Sequence, residues 1–173
     1  KNIRYEIYHE EPLDQHYVGD PLRVKQILLN LLSNALKFTP TDGMIQVNIK
    51  EQKRTNGFSY IRFCVRDSGI GMSKEFCSRI FQPFEQESPE TARNNVGSGL
   101  GLSIVYNLVQ LMGGTIEVES EKHKGAVFTV IIPLRLVEDD EQKERQRKQQ
   151  ELLNGLAVLV VDDDPAVGGQ CIE

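Results

Sequence analysis

The chain has 173 residues, 39% of them hydrophobic, which suffices for one full domain with a hydrophobic core and a small appendage. Its formal net charge of −5 and its pI of about 5.3 argue against nucleic-acid partners, which need a basic surface. No apolar run approaches the roughly 20 residues of a membrane-spanning helix, so we expect no membrane contact from this segment.

The cysteines indicate the redox environment. Cys64, Cys77 and Cys171 are odd in number and show no C-x-x-C spacing. They fit a reducing cytosol and predict neither a disulfide framework nor a zinc site. We therefore expect a cytoplasmic location for this segment.

The first half of the chain predicts a strand, a long helix and a strand hairpin. Apolar and polar residues alternate over residues 3–7, 45–49 and 61–65, as in half-buried strands. Asp20 and Pro21 suit the N-cap and first position of a helix that should run to about Phe38. Asn56-Gly57 is a hairpin turn signal. Helical spacing predicts that the buried face of the helix consists of Leu28, Leu31, Leu32, Ala35 and Leu36.

The second half predicts two more helices and another hairpin. Ser73 can cap a short helix ending near Ile80, and a polar loop follows over residues 85–98. Two alternating segments, 115–119 and 127–132, predict strands joined near Gly125. A helix before them should end at Gly113-Gly114 and bury Ile104, Val105, Leu108, Leu111 and Met112.

The strand pattern predicts the fold class. The strands alternate in hydrophobicity and are not continuously apolar. This favours an α+β two-layer sandwich, in which a mixed, mostly antiparallel sheet carries helices on one face.

The end of the chain differs in composition from the rest. Residues 138–154 are mostly charged or Gln and predict a linker, or a solvated helix. Residues 155–173 contain VLVVDDDP, a β-branched run that ends in three aspartates. This composition predicts a buried strand that belongs to a second module.

Three glycines precede the third predicted helix. Gly97, Gly99 and Gly101 lie in the segment GSGLG, and glycine clusters before helices often bind phosphate. A Walker loop would require Gly-Lys-Ser/Thr, and a dinucleotide fingerprint would require a preceding strand and G-x-G-x-x-G spacing. Neither pattern is present, so the glycines alone leave the kind of site open.

A polar stripe marks the first long helix. Asn30, Asn34 and Lys37 share one face, distinct from the leucine face. Asn is unfavourable within helices, so one interpretation is a pair of amides satisfied by nearby backbone. The other is a pair of oxygen ligands for Mg²⁺, with the lysine binding phosphate.

A carboxylate follows a strand at the segment DSGIG. Asp67 can accept the exocyclic amine of adenine, and Gly69 and Gly71 allow the close approach of a flat ring. A simple turn at the end of the strand explains the same residues equally well. Farther along, Phe81 and Phe84 in IFQPFEQ are expected to be core anchors.

The segments NLLSNALKFT, DSGIGM, IFQPFEQ, GSGLGLSI and GAVFTVIIPL, in this order, resemble the ATP-binding catalytic domain of sensor histidine kinases. The resemblance covers residues 1–137 and implies the ATP site that this family shares with gyrase-type ATPases. It implies an enzyme, a protein-histidine kinase, with ATP and Mg²⁺ as cofactors.

The resemblance also implies roles for single residues. Asn30 and Asn34 would hold Mg²⁺ and phosphate, with Lys37 neutralising phosphate. Asp67 would bind the adenine amine, beside Gly69, Gly71 and Thr129. Residues 85–99 would form a lid over the triphosphate, in which Arg93 is a candidate contact of the γ-phosphate. The remaining nucleotide-binding residues would be Gly97, Gly99, Leu100 and Gly101.

The resemblance distinguishes phosphate transfer to a histidine from hydrolysis of ATP. Related ATPases carry a water-activating Glu where this chain has Asn30, so we expect slow hydrolysis. The resemblance implies that the acceptor is a histidine on a separate dimerisation domain. His9, His16 and His123 of this chain lie in unsuitable predicted segments and do not supply it. The alternatives are a nucleotide-binding signalling module without phosphotransfer and a water-directed ATPase.

The tail resembles the first strand of a response-regulator receiver domain. This implies a hybrid kinase, in which Asp162 and Asp163, or alternatively Asp163 and Asp164, belong to an incomplete Mg²⁺ site of the receiver. The expected partners are therefore ATP or ADP, a dimerisation and histidine-phosphotransfer domain, and a receiver domain. The parent protein could be anchored in the inner membrane.

Overall fold

The computed structural model describes residues 1–10, 13, 16–87 and 98–137. These form one compact unit within Lys1–Val137. The predicted linker and receiver segments, with Asp162 and Asp163, lie outside the described residues. The helices are α1 Pro21–Phe38, α2 Lys74–Cys77 and α3 Gly101–Leu111. The strands are β1 Arg4–His9, β2 Tyr17–Val18, β3 Met44–Thr55, β4 Phe58–Asp67, β5 Thr115–Glu121 and β6 Gly125–Leu136.

All six strands belong to one sheet. Its order is β1-β3-β4-β6-β2, and β5 also pairs with β6. The β1–β3 pair is parallel, whereas the other four pairs are antiparallel. The sheet is thus mixed and mostly antiparallel, which confirms the predicted α+β class.

Local chemistry sets the bounds of α1. The carboxylate of Asp20 accepts hydrogen bonds from the amides of Leu22 and Arg23, at 3.0 and 3.1 Å. This satisfies two of the unpaired amides of the first turn. The helix ends at Phe38, two residues before Pro40, as the sequence predicts.

Helices α1 and α3 cover one face of the sheet. Strands β3, β4 and β6 contribute alternate residues to this core, so Val65 of β4 stands opposite Val47 of β3 and Phe128 of β6. Burying this apolar surface is the main favourable contribution to folding. The fully buried large side chains are Ile27, Leu31, Ile45, Val65, Val105, Val109, Val130 and Ile132.

Several residues predicted to be buried are exposed. Leu36 is 51% exposed and Leu111 is 70% exposed. Ile104 is also exposed, and Phe84, predicted as a core anchor, is 73% exposed. Periodicity identifies the side of a helix but not how far the sheet beneath it extends, which explains the errors on the helices. Phe84 instead has a left-handed backbone (φ 66°) in a turn.

The short helix α2 follows the loop after β4. Ser73 caps it by accepting a hydrogen bond from the amide of Phe76, at 3.2 Å, as predicted. The helix ends at Cys77, three residues earlier than expected. Beyond it, Phe81 stacks on Tyr106 of α3 with ring centroids 5.6 Å apart. Among the described helices, none is long and apolar enough to cross a membrane.

Candidate functional site

A cavity of about 270 Å³ lies between the second half of α1, the loop after β4 and the start of α3. Its apolar lining comes from both layers of the fold and can contact a flat hydrophobic ring. The apolar lining residues include Ala35, Ile70, Met72, Phe76, Ile80, Leu102 and Phe128. The polar lining residues include Asn34, Lys37, Asp67, Glu85, Gln86 and Glu87.

Asp67 is a buried carboxylate in the wall of this cavity. It ends β4 and is only 8% exposed. Its Oδ1 accepts a hydrogen bond from the Gly69 amide at 2.8 Å. Burial raises the pKa of the Asp67 carboxyl, while hydrogen bonds from the amides of Gly69 and Ala126 oppose this shift. A buried carboxylate facing a cavity can accept hydrogen bonds from a ligand.

The loop after Asp67 has no room for side chains at its glycines. A methyl group at Gly69 would lie 2.6 Å from Asp67 Oδ1 and 2.7 Å from the carbonyl oxygen of Phe38. Gly71 has a left-handed backbone (φ 62°), and a methyl group there would collide with the carbonyl oxygen of Glu121. Glycine is therefore required at both positions for the loop to pack this closely.

The same loop is fastened to the β5–β6 hairpin. The His123 amide donates to the carbonyl of Ile70 at 2.7 Å, and the Met72 amide donates to Ser120 Oγ at 2.9 Å. The cavity wall beside Asp67 is thus held by hydrogen bonds from a neighbouring element.

The polar stripe of α1 runs beside the cavity toward α3. Asn34 and Lys37 line the cavity. The amide nitrogen of Asn30 donates to the carbonyl of Gln26 at 2.9 Å. The Asn30 oxygen faces Gly101, where a methyl group would lie 3.1 Å from it. The side chain is therefore satisfied in part by backbone, while its oxygen points to the start of α3.

Lys37 carries the positive charge of this stripe. Partial burial lowers the pKa of its ammonium group, because desolvation disfavours the charged form. Its Nζ lies 4.9 Å from the centroid of the Phe38 ring. A bound anion would stabilise the charged form of this lysine.

The start of α3 presents backbone amides beside the stripe. Leu100 occupies the N-cap position and makes no side-chain cap within the described residues. Gly99 has φ 72°, and its carbonyl accepts a hydrogen bond from the Phe84 amide at 3.1 Å. Gly101, the first helical residue, lines the cavity. The Leu100 amide donates to Ser98 Oγ at 3.3 Å, and the amides of the first turn, with the positive end of the helix dipole, favour an anion here.

The structure brings together most of the predicted site residues but not Thr129. Thr129 stands opposite Cys64, whereas Asp67 stands opposite Ala126. Successive strand residues point to opposite faces, so Thr129 lies on the face of the sheet away from the cavity. Thr129 therefore does not line this cavity as expected, and Ala126 stands beside Asp67 instead.

The sequence contained a signal for this correction. Ala126, Phe128 and Val130 alternate as the buried face of β6, which excludes the intervening Thr129 from the core side. The predicted residues Arg93 and Gly97 lie outside the described residues. Within the described ranges, no group of three or more His, Cys, Asp or Glu side chains could hold a metal ion.

Comparison with known proteins places these features in context. Residues 19–136 match the family model described as histidine kinase-, DNA gyrase B-, and HSP90-like ATPase. The chain is 42% identical to the autoinducer 2 sensor kinase/phosphatase LuxQ of Vibrio vulnificus over 95% of its length. It is 45% identical to the sensor histidine kinase RcsC of Escherichia coli over 67% of its length. The chain covers only 19% and 12% of these two proteins.

Solved structures give the same relationship. Full-length ShkA in complex with AMPPNP is similar with a TM-score of 0.64 and 33% identity, over 78% of this chain and 26% of that one. The catalytic domain of the histidine kinase ThkA, in a nucleotide-free form, has a TM-score of 0.62 and 31% identity. That similarity covers 76% of this chain and 80% of the ThkA domain.

Proposed function

This chain belongs to the family of histidine kinase-, DNA gyrase B- and HSP90-like ATPases, and on that premise we propose a specific role. Residues 1–137 are the ATP-binding catalytic domain of a hybrid sensor histidine kinase. The domain positions the γ-phosphate of ATP for transfer to a histidine on a separate dimerisation domain.

The observation that carries this proposal is the arrangement of Asp67 and the start of α3 around one cavity. Asp67 accepts the exocyclic amine of adenine, while Ala35, Phe76 and Phe128 contact the ring. The phosphates extend toward Gly101 and the amides at the start of α3. The two ends of the cavity therefore match the two ends of the nucleotide.

The asparagines suit a divalent cation bound with the nucleotide. The hydrogen bond from Asn30 to the Gln26 carbonyl leaves the oxygen of Asn30 facing α3, and Asn34 lies one turn farther along α1. Amide oxygens are hard ligands that suit Mg²⁺. Mg²⁺, when bound, neutralises phosphate charge.

The two glutamates that line the cavity already have partners in the fold. Glu85 pairs with Arg79 at 3.1 Å. Glu87 accepts a hydrogen bond from the Ser73 amide at 2.8 Å and lies 3.6 Å from Lys122 Nζ. Position 30, where related ATPases carry a general base, is Asn. Without such a base, hydrolysis is slow, and the site serves to position the nucleotide for an external nucleophile.

The remaining parts of the assignment concern the whole protein. We place a charged linker at 138–154 and the start of a receiver domain at 155–173, with Asp162 and Asp163 as its acids. The partners are then the dimerisation and histidine-phosphotransfer domain and a receiver domain, in the cytoplasm. A catalytically silent nucleotide-binding module is the second candidate.

Phosphotransfer distinguishes the two candidates. The 1–173 chain is incubated with γ-labelled ATP, Mg²⁺ and the dimerisation domain of the related autoinducer 2 sensor kinase. We expect acid-labile, alkali-stable label on the acceptor and only slow phosphate release without it. Tight binding of ATP with no label on the acceptor would favour the silent module. Rapid steady hydrolysis without acceptor would contradict the assignment of Asn30.

A further inference from the structure

The C-terminal end of α1 is closed by a lysine from outside the helix. The ammonium group of Lys1 donates to the carbonyls of Leu36, Lys37 and Thr39, at 3.2, 2.9 and 2.8 Å. An ammonium group has three N–H donors, and three carbonyls accept from it here. The last carbonyls of a helix lack intrahelical partners and form the negative end of its dipole, so a cation there is stabilising.

The one intervening carbonyl belongs to the nucleotide site. Phe38 lines the cavity, and its carbonyl accepts a hydrogen bond from the Ile70 amide at 3.3 Å. The same carbonyl fills the space beside Gly69. The last turn of α1 therefore contacts Lys1 on one side and the glycine loop beside Asp67 on the other.

Backbone contacts hold Lys1 in this position. The amide of Asp42 donates to the Asn2 carbonyl at 2.6 Å, and the side chains of these two residues form a hydrogen bond of 2.9 Å. The Arg4 amide donates to the Gly43 carbonyl at 2.9 Å, where β1 begins to pair with β3. Residues 1–4 thus clamp the turn that follows α1.

We propose that Lys1 is a positioning residue for the nucleotide site. Its ammonium group holds the last turn of α1, and through that turn it sets Lys37, Phe38 and the glycine loop in their binding geometry. The inference rests on the proposed nucleotide site. When only a fraction of molecules has the last turn in place, the apparent affinity falls by that fraction.

The test compares Lys1→Met and Lys1→Arg with the matched control Lys25→Met, in the 1–173 chain. Lys25 is an exposed lysine of the same helix. Calorimetric titration at 25 °C measures the Kd of ADP with Mg²⁺, and hydrogen exchange without nucleotide measures the protection of the Ile70 amide. We expect Lys1→Met to raise the Kd of ADP by about fivefold and to speed hydrogen exchange of the Ile70 amide. Lys1→Arg should retain most of the affinity, and Lys25→Met should match the wild type.

Each outcome bears on a separate claim. A Lys1→Met variant that melts earlier but keeps wild-type affinity and Ile70 protection would overturn the positioning role, since the lysine would then be structural only. Equal weakening by Lys25→Met would overturn it as well. Failure of the wild type to bind ADP would overturn the proposed nucleotide site, whereas exchange at Ile70 would still test the link from Lys1 to the glycine loop.

Discussion

The close packing of Gly71 allows a quantitative prediction. Gly71→Ala places a methyl group against the carbonyl oxygen of Glu121, at a backbone conformation (φ 62°) that residues with side chains rarely adopt. Gly57→Ala is the matched control. It has a similar conformation (φ 75°) in the β3–β4 turn, but nothing lies within 4 Å of the added methyl group.

The expected magnitudes follow from these surroundings. The left-handed backbone alone costs an alanine about 1 kcal/mol, which both variants share. The collision at Gly71 adds an overpacking cost of about 1–3 kcal/mol, because the opposing atom is backbone that is held in the β5–β6 hairpin. We therefore expect Gly71→Ala to lose about 2–4 kcal/mol of unfolding free energy in total.

Chemical denaturation of both variants, with ADP titration of the folded fraction, measures the effect. Gly71→Ala should also lower the affinity for ADP, because relief of the collision must move the loop beside Asp67. Equal destabilisation by Gly71→Ala and Gly57→Ala would refute the reasoning, since it would show that the loop does not press against the hairpin.

Further predictions concern the polar groups of the site. Asp67→Asn should weaken ADP binding by about tenfold, because the hydrogen bond from the adenine amine loses its charged acceptor. The control Asp20→Asn keeps a good N-cap and should change ADP affinity little. Calorimetry with ADP and inosine diphosphate checks this, and unchanged ADP affinity would contradict the adenine role. Burial raises the pKa of Asp67 above 3.8, so its contribution to stability is complete below the unfolded pKa and is lost as the pH rises through the folded pKa. Urea unfolding at several pH values from about 3.5 to 7 measures this contribution. The free energy of unfolding should fall less with rising pH in Asp67→Asn than in the wild type, and parallel pH dependences of the two proteins would contradict the prediction. Asn34→Ala should reduce mainly the Mg²⁺-dependent part of ATP binding, unlike Asn107→Ala on the exposed face of α3; an equal loss in EDTA would contradict the metal role.

The local elements could be predicted from the sequence because their causes are local. Asp20 and Pro21 start α1 where the capping chemistry indicates, and Pro40 limits its end. The turn at Asn56-Gly57 has the two left-handed residues that the dipeptide predicts. Alternation likewise predicted β3 to β6 and the side of the sheet that forms the core.

The non-local features could not be predicted in this way. The parallel pairing of β1 with β3 depends on how the chain returns after α1, and β2 has only two residues. Exposure of Leu36 and Leu111 depends on the extent of the sheet beneath each helix. The closing of α1 by Lys1 joins residues that are 35 to 38 positions apart, with no pattern in the sequence to indicate it.

The candidate site was predictable in part. Asn34 is predictable because Asn is unfavourable within a helix, Lys37 because it shares that helix face, and Asp67 because it ends a strand next to a glycine loop. The structure places these three residues and Gly71 at one cavity. The role of Thr129 is implied by the resemblance alone, whereas the alternation of β6 places its side chain on the opposite face of the sheet. Where a motif and the periodicity of its strand disagree, the periodicity decides which side chains meet.

The most direct test of the proposed nucleotide site is calorimetric titration of the 1–173 chain with ADP and ATP, each with and without Mg²⁺, and with GTP as the control. The proposal predicts binding of both adenine nucleotides, stronger with Mg²⁺ and much weaker for GTP. Absence of binding, or equal affinity for GTP, would contradict the assignment of Asp67 and the start of α3 to the two ends of a bound adenine nucleotide.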